Sequence, residues 1–379
     1  MAIVTYNHVR VTGVQTVVPE HYVDIDDELQ YFDNNPKRLA RQKKMIGYGR
    51  RYIAEPQTTV CDMAVDAARK LLKELDVDSG QIDLLVFVNQ SPDYSAPADA
   101  CVAHGMLGLK KDCITLDLSL GCSGWPHALM TAYAMMSGGA IKKALVLAGD
   151  LPTRYALQSN RKSAQVFGDA CSATLLEYDA SYDSPATFVC GTDGSGWETL
   201  ICPFGGLRNP IDAEVLAYTT KDEDGNPWRA TDSVMKGEEV FDFTMSVVPR
   251  LISETVAAAG WSKDEVDWYC IHQANYQILS TIADRAGIPL EKTPMETFSK
   301  YANNSTNSVV TVICDQLPGA KVDKVIACAF GIGLSWGCVA LNLTGMHNGG
   351  VATYVEEKRQ VPTSEKLEYY GRYFRKEIQ

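Results

Sequence analysis

Two apolar runs in this chain repeat each other. Lys143-Ala144-Leu145-Val146-Leu147-Ala148-Gly149 is echoed by Lys324-Val325-Ile326-Ala327-Cys328-Ala329-Phe330-Gly331. Each leads through small residues into a further strand-like run, Ser172 to Leu176 and Gly337 to Leu343. Upstream, both halves carry a helical pattern, a polar turn and an acidic residue before an apolar run. These are Ile82-Asp83 before Leu84 to Val88, and Val266-Asp267 before Trp268 to Ile271. The matched pairs keep their order at an offset near 180 residues, which points to an internal duplication. Continuous apolar runs suit strands buried on both faces, and the helical patterns between them supply the cover. The fold class is therefore α/β with a central, largely parallel sheet.

Further runs of strand type are Ile114 to Leu118 and Ala144 to Ala148. Thr59-Val60-Cys61-Asp62 reads as a capping box opening a helix with Met63, Ala67, Leu71, Leu72 and Leu75 on one face. Residues 203–235, with Gly205, Gly206, Pro210 and Pro227, read as a long irregular excursion that forms a lid or wall. From Met346 the chain turns polar and charged, so the division expected is 1–178 for one half, 179–345 for the second, and 346–379 for an extension.

A hydrophobic share of 46% in 379 residues is enough for a large core and excludes disorder. The net charge of −12 argues against a nucleic-acid partner. The eleven cysteines contain no CxxC pair, so no metal site is expected, and a reduced cytoplasmic setting follows. No apolar stretch approaches the length of a membrane span.

One cysteine stands apart. In Asp117-Leu118-Ser119-Leu120-Gly121-Cys122-Ser123-Gly124-Trp125-Pro126 it falls between a strand and a helix whose first turn holds Pro126. At a helix N-terminus the macrodipole favours thiolate, and Gly121 and Gly124 allow a substrate close approach. Among six histidines, His272 in Cys270-Ile271-His272-Gln273-Ala274-Asn275 is the one that ends a buried-type strand, so it is the expected proton partner. The polar turn Lys300-Tyr301-Ala302-Asn303-Asn304-Ser305-Thr306-Asn307-Ser308 offers neutral amide donors, and Phe330-Gly331-Ile332-Gly333 a turn able to expose an N–H.

The ordered set of a post-strand cysteine, His-Gln-Ala-Asn, Tyr-Ala-Asn-Asn-Ser and Phe-Gly-Ile-Gly-Leu-Ser-Trp-Gly resembles the β-ketoacyl-acyl-carrier-protein synthase III branch of the thiolase superfamily. Ile46 to Arg51, Phe167-Gly168-Asp169-Ala170 and Met235 to Phe241 extend the resemblance over residues 3 to 343. It implies a duplicated five-layer αβαβα fold and a Cys122, His272, Asn303 triad. It also implies an oxyanion hole from the backbone N–H groups of Cys122 and Ile332, and no cofactor. The implied activity is transfer of an acyl primer from acyl-CoA or an acyl carrier protein to Cys122, then decarboxylative condensation with malonyl-acyl carrier protein, in a homodimer. A related reading moves the acyl group to an oxygen or nitrogen nucleophile without decarboxylation.

Two positions tune the acyl pocket under this resemblance. Phe330 forms a wall, and Ala96 stands before Pro97 where many relatives place a bulky cap on the partner's pocket, which suggests an acyl group larger than acetyl. Ile332 replaces a usual glycine, and no tryptophan precedes Trp125 to stack on a coenzyme A adenine. Between Lys37 and Arg51 lie seven cations and no acid, among them Arg38, Arg41 and Arg50. With Arg161, which matches a pantetheine-holding position, these are the expected contacts to the carrier.

Overall fold

The computed structural model describes residues 1–317, 322–355 and 361–378. Two mixed sheets form its centre. One runs in the order His347–Tyr354, Val9–Pro19, Ala170–Tyr178, Lys143–Asp150, Leu84–Val88, Ile114–Leu118; the other runs Ala2–Tyr6, Ala186–Thr192, Ser335–Asn342, Lys324–Gly331, Trp268–Ile271.

The echoed runs take equivalent positions. Lys143–Asp150 is antiparallel to Ala170–Tyr178 and parallel to Leu84–Val88. Lys324–Gly331 is likewise antiparallel to Ser335–Asn342 and parallel to Trp268–Ile271.

Alternation along these strands builds the layers, because successive side chains point to opposite faces. Leu84, Val86 and Val88 share a core with Val325, Ala327 and Ala329 from the other sheet. That space is filled by Trp125, Leu129 and Met136 of the helix Gly124–Met136, and by Val309, Val312 and Ile313 of the helix Ser308–Gln316. Leu85 and Phe87 face outward onto the helix Val60–Glu74, which starts at the expected Thr59–Asp62 capping box. Ile326, Cys328 and Phe330 face outward onto the helices Gly237–Ala258 and Tyr276–Ala286. Helices, sheet, helices, sheet, helices: the five layers match the expected architecture.

The chain ends cross between the halves. Ala2–Tyr6 pairs with Ala186–Thr192 in the second sheet, and His347–Tyr354 pairs parallel with Val9–Pro19 in the first. The extension expected from residue 346 therefore begins with a sheet strand. Its sequence hides this: it is an edge strand with an irregularity between Asn348 and Val351, so it has no continuous apolar run. Beyond it, within 361–378, lies the exposed helix Thr363–Phe374. The excursion at 203–235 carries a short helix Ala213–Ala217 and a hairpin of Thr219–Lys221 with Pro227–Arg229.

Near the site the segments around Phe167 and Asn303 are joined directly. Phe167 bridges to Asn303, and the Gly168 N–H donates to the Asn303 carbonyl at 3.1 Å. A Cβ on Gly168 would stand 2.4 Å from the Tyr301 carbonyl oxygen, a rigid backbone neighbour. Gly168→Ala is expected to destabilise the protein by about 1–3 kcal/mol through overpacking, read from urea unfolding. Unchanged unfolding would show that the two segments are not pressed together as described.

Candidate active site

Cys122 lies in the turn between Ile114–Leu118 and Gly124–Met136, one residue before the helix cap at Ser123. Gly121 is there for packing: a Cβ would meet Gln90 Oε1 at 2.4 Å and Ile332 Cγ2 at 2.6 Å. Both neighbours also wall the cavity over the thiol. Gly331 approaches from the opposite strand end, and a Cβ there would sit 2.7 Å from Cys122 Cβ. Ser123 Oγ and Ser335 Oγ, 2.6 Å apart, fix the two turns to one another.

His272 follows the strand Trp268–Ile271 and is buried. Its backbone N–H donates to the Cys328 carbonyl, and its ring stands edge-on to Phe330 with centroids 5.4 Å apart. Gln273 locks the turn, accepting from Phe298 N and donating to the carbonyls of Ile271 and Pro294. Its own N–H donates to Ser308 Oγ at 2.7 Å, joining the histidine turn to the asparagine turn.

The Asn303 side-chain oxygen accepts from the Ser305 N–H at 2.8 Å, which leaves its NH2 as the free donor end. Ser305 has φ of 50°, unusual for a residue other than glycine, and its Oγ lies 4.0 Å from Cys122 Sγ. Thr306 then closes the ring. Its hydroxyl reaches Asp150 Oδ2 at 2.6 Å and the Leu120 and Gly121 carbonyls at 3.1 and 3.0 Å.

A cavity of about 80 Å³ opens over the thiol, walled by Gln90, Asp150, Tyr155, Phe167, Ser305 and Ile332, with Cys202 and Ser233 near the excursion. Neither His272, Asn303, Phe330 nor Ala96 lines it. Phe330 packs on the outer core beside His272, and Ala96 is exposed on the surface of its own chain.

The electrostatics correct one expectation. Burial pushes the Cys122 thiol up to about 11, and the Asp150 charge adds to that; the Ser305 hydroxyl and the N–H groups of Ile332 and Cys122 pull the other way but do not win. Removal from water thus opposes the thiolate that the helix start was expected to favour. Burial also lowers His272 to about 3, so its imidazole is neutral at physiological pH.

Sequence reasoning missed Asp150. It is a fully enclosed carboxylate that accepts from Gln90 N at 2.7 Å, Ser91 Oγ at 3.1 Å and Thr306. The available signal was an acid closing the otherwise apolar strand Lys143–Asp150.

The cationic stretch divides. Arg51 is buried against Glu28 and donates to Gln158 at 2.6 Å, so it is internal structure and not part of a mouth. Arg38 pairs with Asp33, and Arg161 lies 4.0 Å from the same carboxylate, which brings these two expected contacts together. Arg50 sits 4.0 Å over the Tyr22 ring. Arg41 is exposed and forms no ion pair among the described residues.

Family models for 3-oxoacyl-[acyl-carrier-protein] synthase III match residues 116–194, and for its C-terminal part residues 256–343. A putative 3-oxoacyl-[acyl-carrier-protein] synthase 3 from Campylobacter jejuni is 32% identical over 93% of this chain and 99% of its own. A β-ketoacyl-[acyl-carrier-protein] synthase III from Streptomyces coelicolor is 31% identical over 88% of this chain and 94% of its own. The crystal structure of a 3-oxoacyl-(acyl-carrier protein) synthase from Burkholderia xenovorans superposes with a TM-score of 0.85 at 33% identity, covering 93% of this chain and 99% of that one.

The thiol position predicts a titration. Thiolate absorbance of the native protein, after subtraction of a Cys122→Ala variant, is expected to show no step below pH 9 and a midpoint near 11. A step at pH 6–7 would mean that an ion pair or the helix dipole sets the resting state.

Proposed function

The chain belongs to the 3-oxoacyl-[acyl-carrier-protein] synthase III family, and we propose that it runs that family's condensation through Cys122, His272 and Asn303. It is an acyltransferase: an acyl thioester primer passes to the cysteine, and a malonyl thioester loses carbon dioxide and attacks the resulting acyl-enzyme.

The observation that carries the residue assignment is Cys122 buried at a cavity that Ile332 also lines, where the backbone N–H groups of Ile332 and Cys122 favour charge on its sulfur. When the thiolate adds to the primer carbonyl, negative charge develops on the carbonyl oxygen, and fixed N–H dipoles in a dry site stabilise it. Collapse of this adduct expels the carrier thiol and leaves the acyl group on sulfur. The malonyl thioester follows. Loss of its carboxylate as carbon dioxide leaves an enolate whose oxygen needs neutral donors, since a nearby carboxylate would repel it. A neutral His272 imidazole and the Asn303 NH2 have that character, and the bond from Ser305 N–H orients the asparagine.

The finer assignments extend this reading. Arg38 and Arg161 meet at Asp33, which supports reading them as contacts to an anionic pantetheine carrier, with Arg41 and Arg50 proposed beside them. Phe330 supports the histidine ring and thereby the acyl site. Ala96 is exposed and does not line its own cavity, which suits a contribution to a partner subunit's pocket in a homodimer. All eleven cysteines are unpaired, in keeping with a reducing cytoplasm, and among the described residues no helix is long and apolar enough to cross a membrane.

Intact-protein mass spectrometry after incubation with acetyl to decanoyl N-acetylcysteamine thioesters tests the assignment. One acyl addition on Cys122 is expected, and none in Cys122→Ala. His272→Ala and Asn303→Ala are expected to acylate but to lose about 10²–10³-fold in condensation with a malonyl thioester. A wild-type protein that stays unlabelled across the series contradicts the nucleophile assignment.

A further inference from the structure

The route by which Cys122 loses its proton is not supplied by the residues already assigned. The thiol is enclosed and, at rest, protonated. His272, the obvious acceptor, is held neutral by burial, and among the described residues its Nδ1 has no hydrogen-bond partner. The Ser305 Oγ hydroxyl lies within hydrogen-bond reach of the sulfur, at 4.0 Å. Asp150 and Ser305 line the same cavity as the thiol, and the Ser305 hydroxyl favours the charged form of the Asp150 carboxylate.

The backbone is arranged to hold this hydroxyl. Ser305 occupies the left-handed region, a strained choice that needs support from its surroundings. Support comes on both sides: its N–H is tied to Asn303 Oδ1, and the next residue, Thr306, is anchored to Asp150 through both N–H, at 3.3 Å, and hydroxyl, at 2.6 Å. The titratable groups around Asp150 are Cys122, Tyr155, Cys171 and Cys202, all acids that are neutral when protonated. Among the described residues no lysine or arginine hydrogen-bonds to Asp150. Burial accordingly raises its affinity for a proton, against the pull of its Thr306, Ser305 and Gln90 donors.

We propose that Ser305 and Asp150 form the proton path that activates Cys122. The thiol proton passes to Ser305 Oγ as the serine's own proton passes to Asp150, leaving a thiolate and a carboxylic acid. The thiolate forms the new carbon–sulfur bond, the primer's old one breaks, and the departing thiolate takes the proton back along the same path. Ser305 touches the reacting sulfur and is a catalytic residue; Asp150 acts through it. His272 is then reserved for the second half-reaction. This rests on Cys122 being the nucleophile.

Single-turnover acylation separates the two ideas, using whichever thioester of the acetyl-to-decanoyl series labels the wild-type protein fastest, followed from pH 7 to 9. The wild-type rate is expected to change less than about threefold over that range. Ser305→Ala is expected to fall at least tenfold at pH 7 and to recover by about tenfold per pH unit, as bulk thiolate takes over. Asp150→Asn is expected to do the same, although removal of a neighbouring negative charge would by itself speed the reaction.

Ser305→Ala leaves Asp150 its Thr306 and Gln90 donors, so it carries the test if Asp150→Asn does not fold. A wild-type pH profile in Ser305→Ala, or a uniform loss with unchanged pH dependence, overturns the proton path. So does a faster Asp150→Asn, or acylation lost in His272→Ala alone. If the wild-type protein is not labelled at Cys122 at all, the nucleophile assignment itself has failed.

Discussion

The site depends on one buried side chain from the second half reaching into the first. Thr306 follows the asparagine turn, yet its hydroxyl bonds Asp150 at the end of a first-half strand and lies against the carbonyls just before Cys122. Through it the asparagine turn is fixed to the cysteine turn. The Ser123–Ser335 contact fixes the glycine turn to the same place, and Ser308 with Gln273 N–H fixes the histidine turn. Four segments far apart in sequence are thus held by a few buried hydrogen bonds. Buried donors and acceptors of this kind are costly to leave unmade, so each turn has one preferred position relative to the others.

Much of this could be read from the chain before its fold was known. The two echoed apolar runs became equivalent strands because continuous burial on both faces leaves an unmistakable hydrophobic signature. The Thr59 capping box and the helix after Cys122 were legible for a similar reason, since caps and an early proline are local signals. The strand His347–Tyr354 was not legible. At a sheet edge half its surface needs no apolar cover, so its glycines and polar residues resemble a tail. The placement of Ala2–Tyr6 in the far sheet was equally hidden, because pairing across the whole chain length leaves no local trace.

For the site, the residues were more legible than their electrostatics. Position in the sequence marked Cys122 at a helix start, which suggested an acidic thiol. Enclosure, the factor that reverses this, arises from Ile332, Phe167 and Tyr155, none of them near the cysteine in sequence. Arg51 illustrates the same limit: it looked like one of seven surface cations until the fold buried it on Glu28. Asp150 was visible only as an odd ending to an apolar strand. The common pattern is that charge in a sequence is known but its solvent is not.

The resulting picture is of a neutral thiol at a small cavity and a neutral, buried imidazole outside its lining. Its central claim is that this chemistry includes decarboxylation and does not stop at acyl transfer. The direct measurement is release of labelled carbon dioxide from carboxyl-labelled malonyl-acyl carrier protein by acylated enzyme, followed together with the acyl product. One carbon dioxide per β-ketoacyl product formed is the result expected. An acyl group transferred to an oxygen or nitrogen acceptor with no carbon dioxide released would contradict the account.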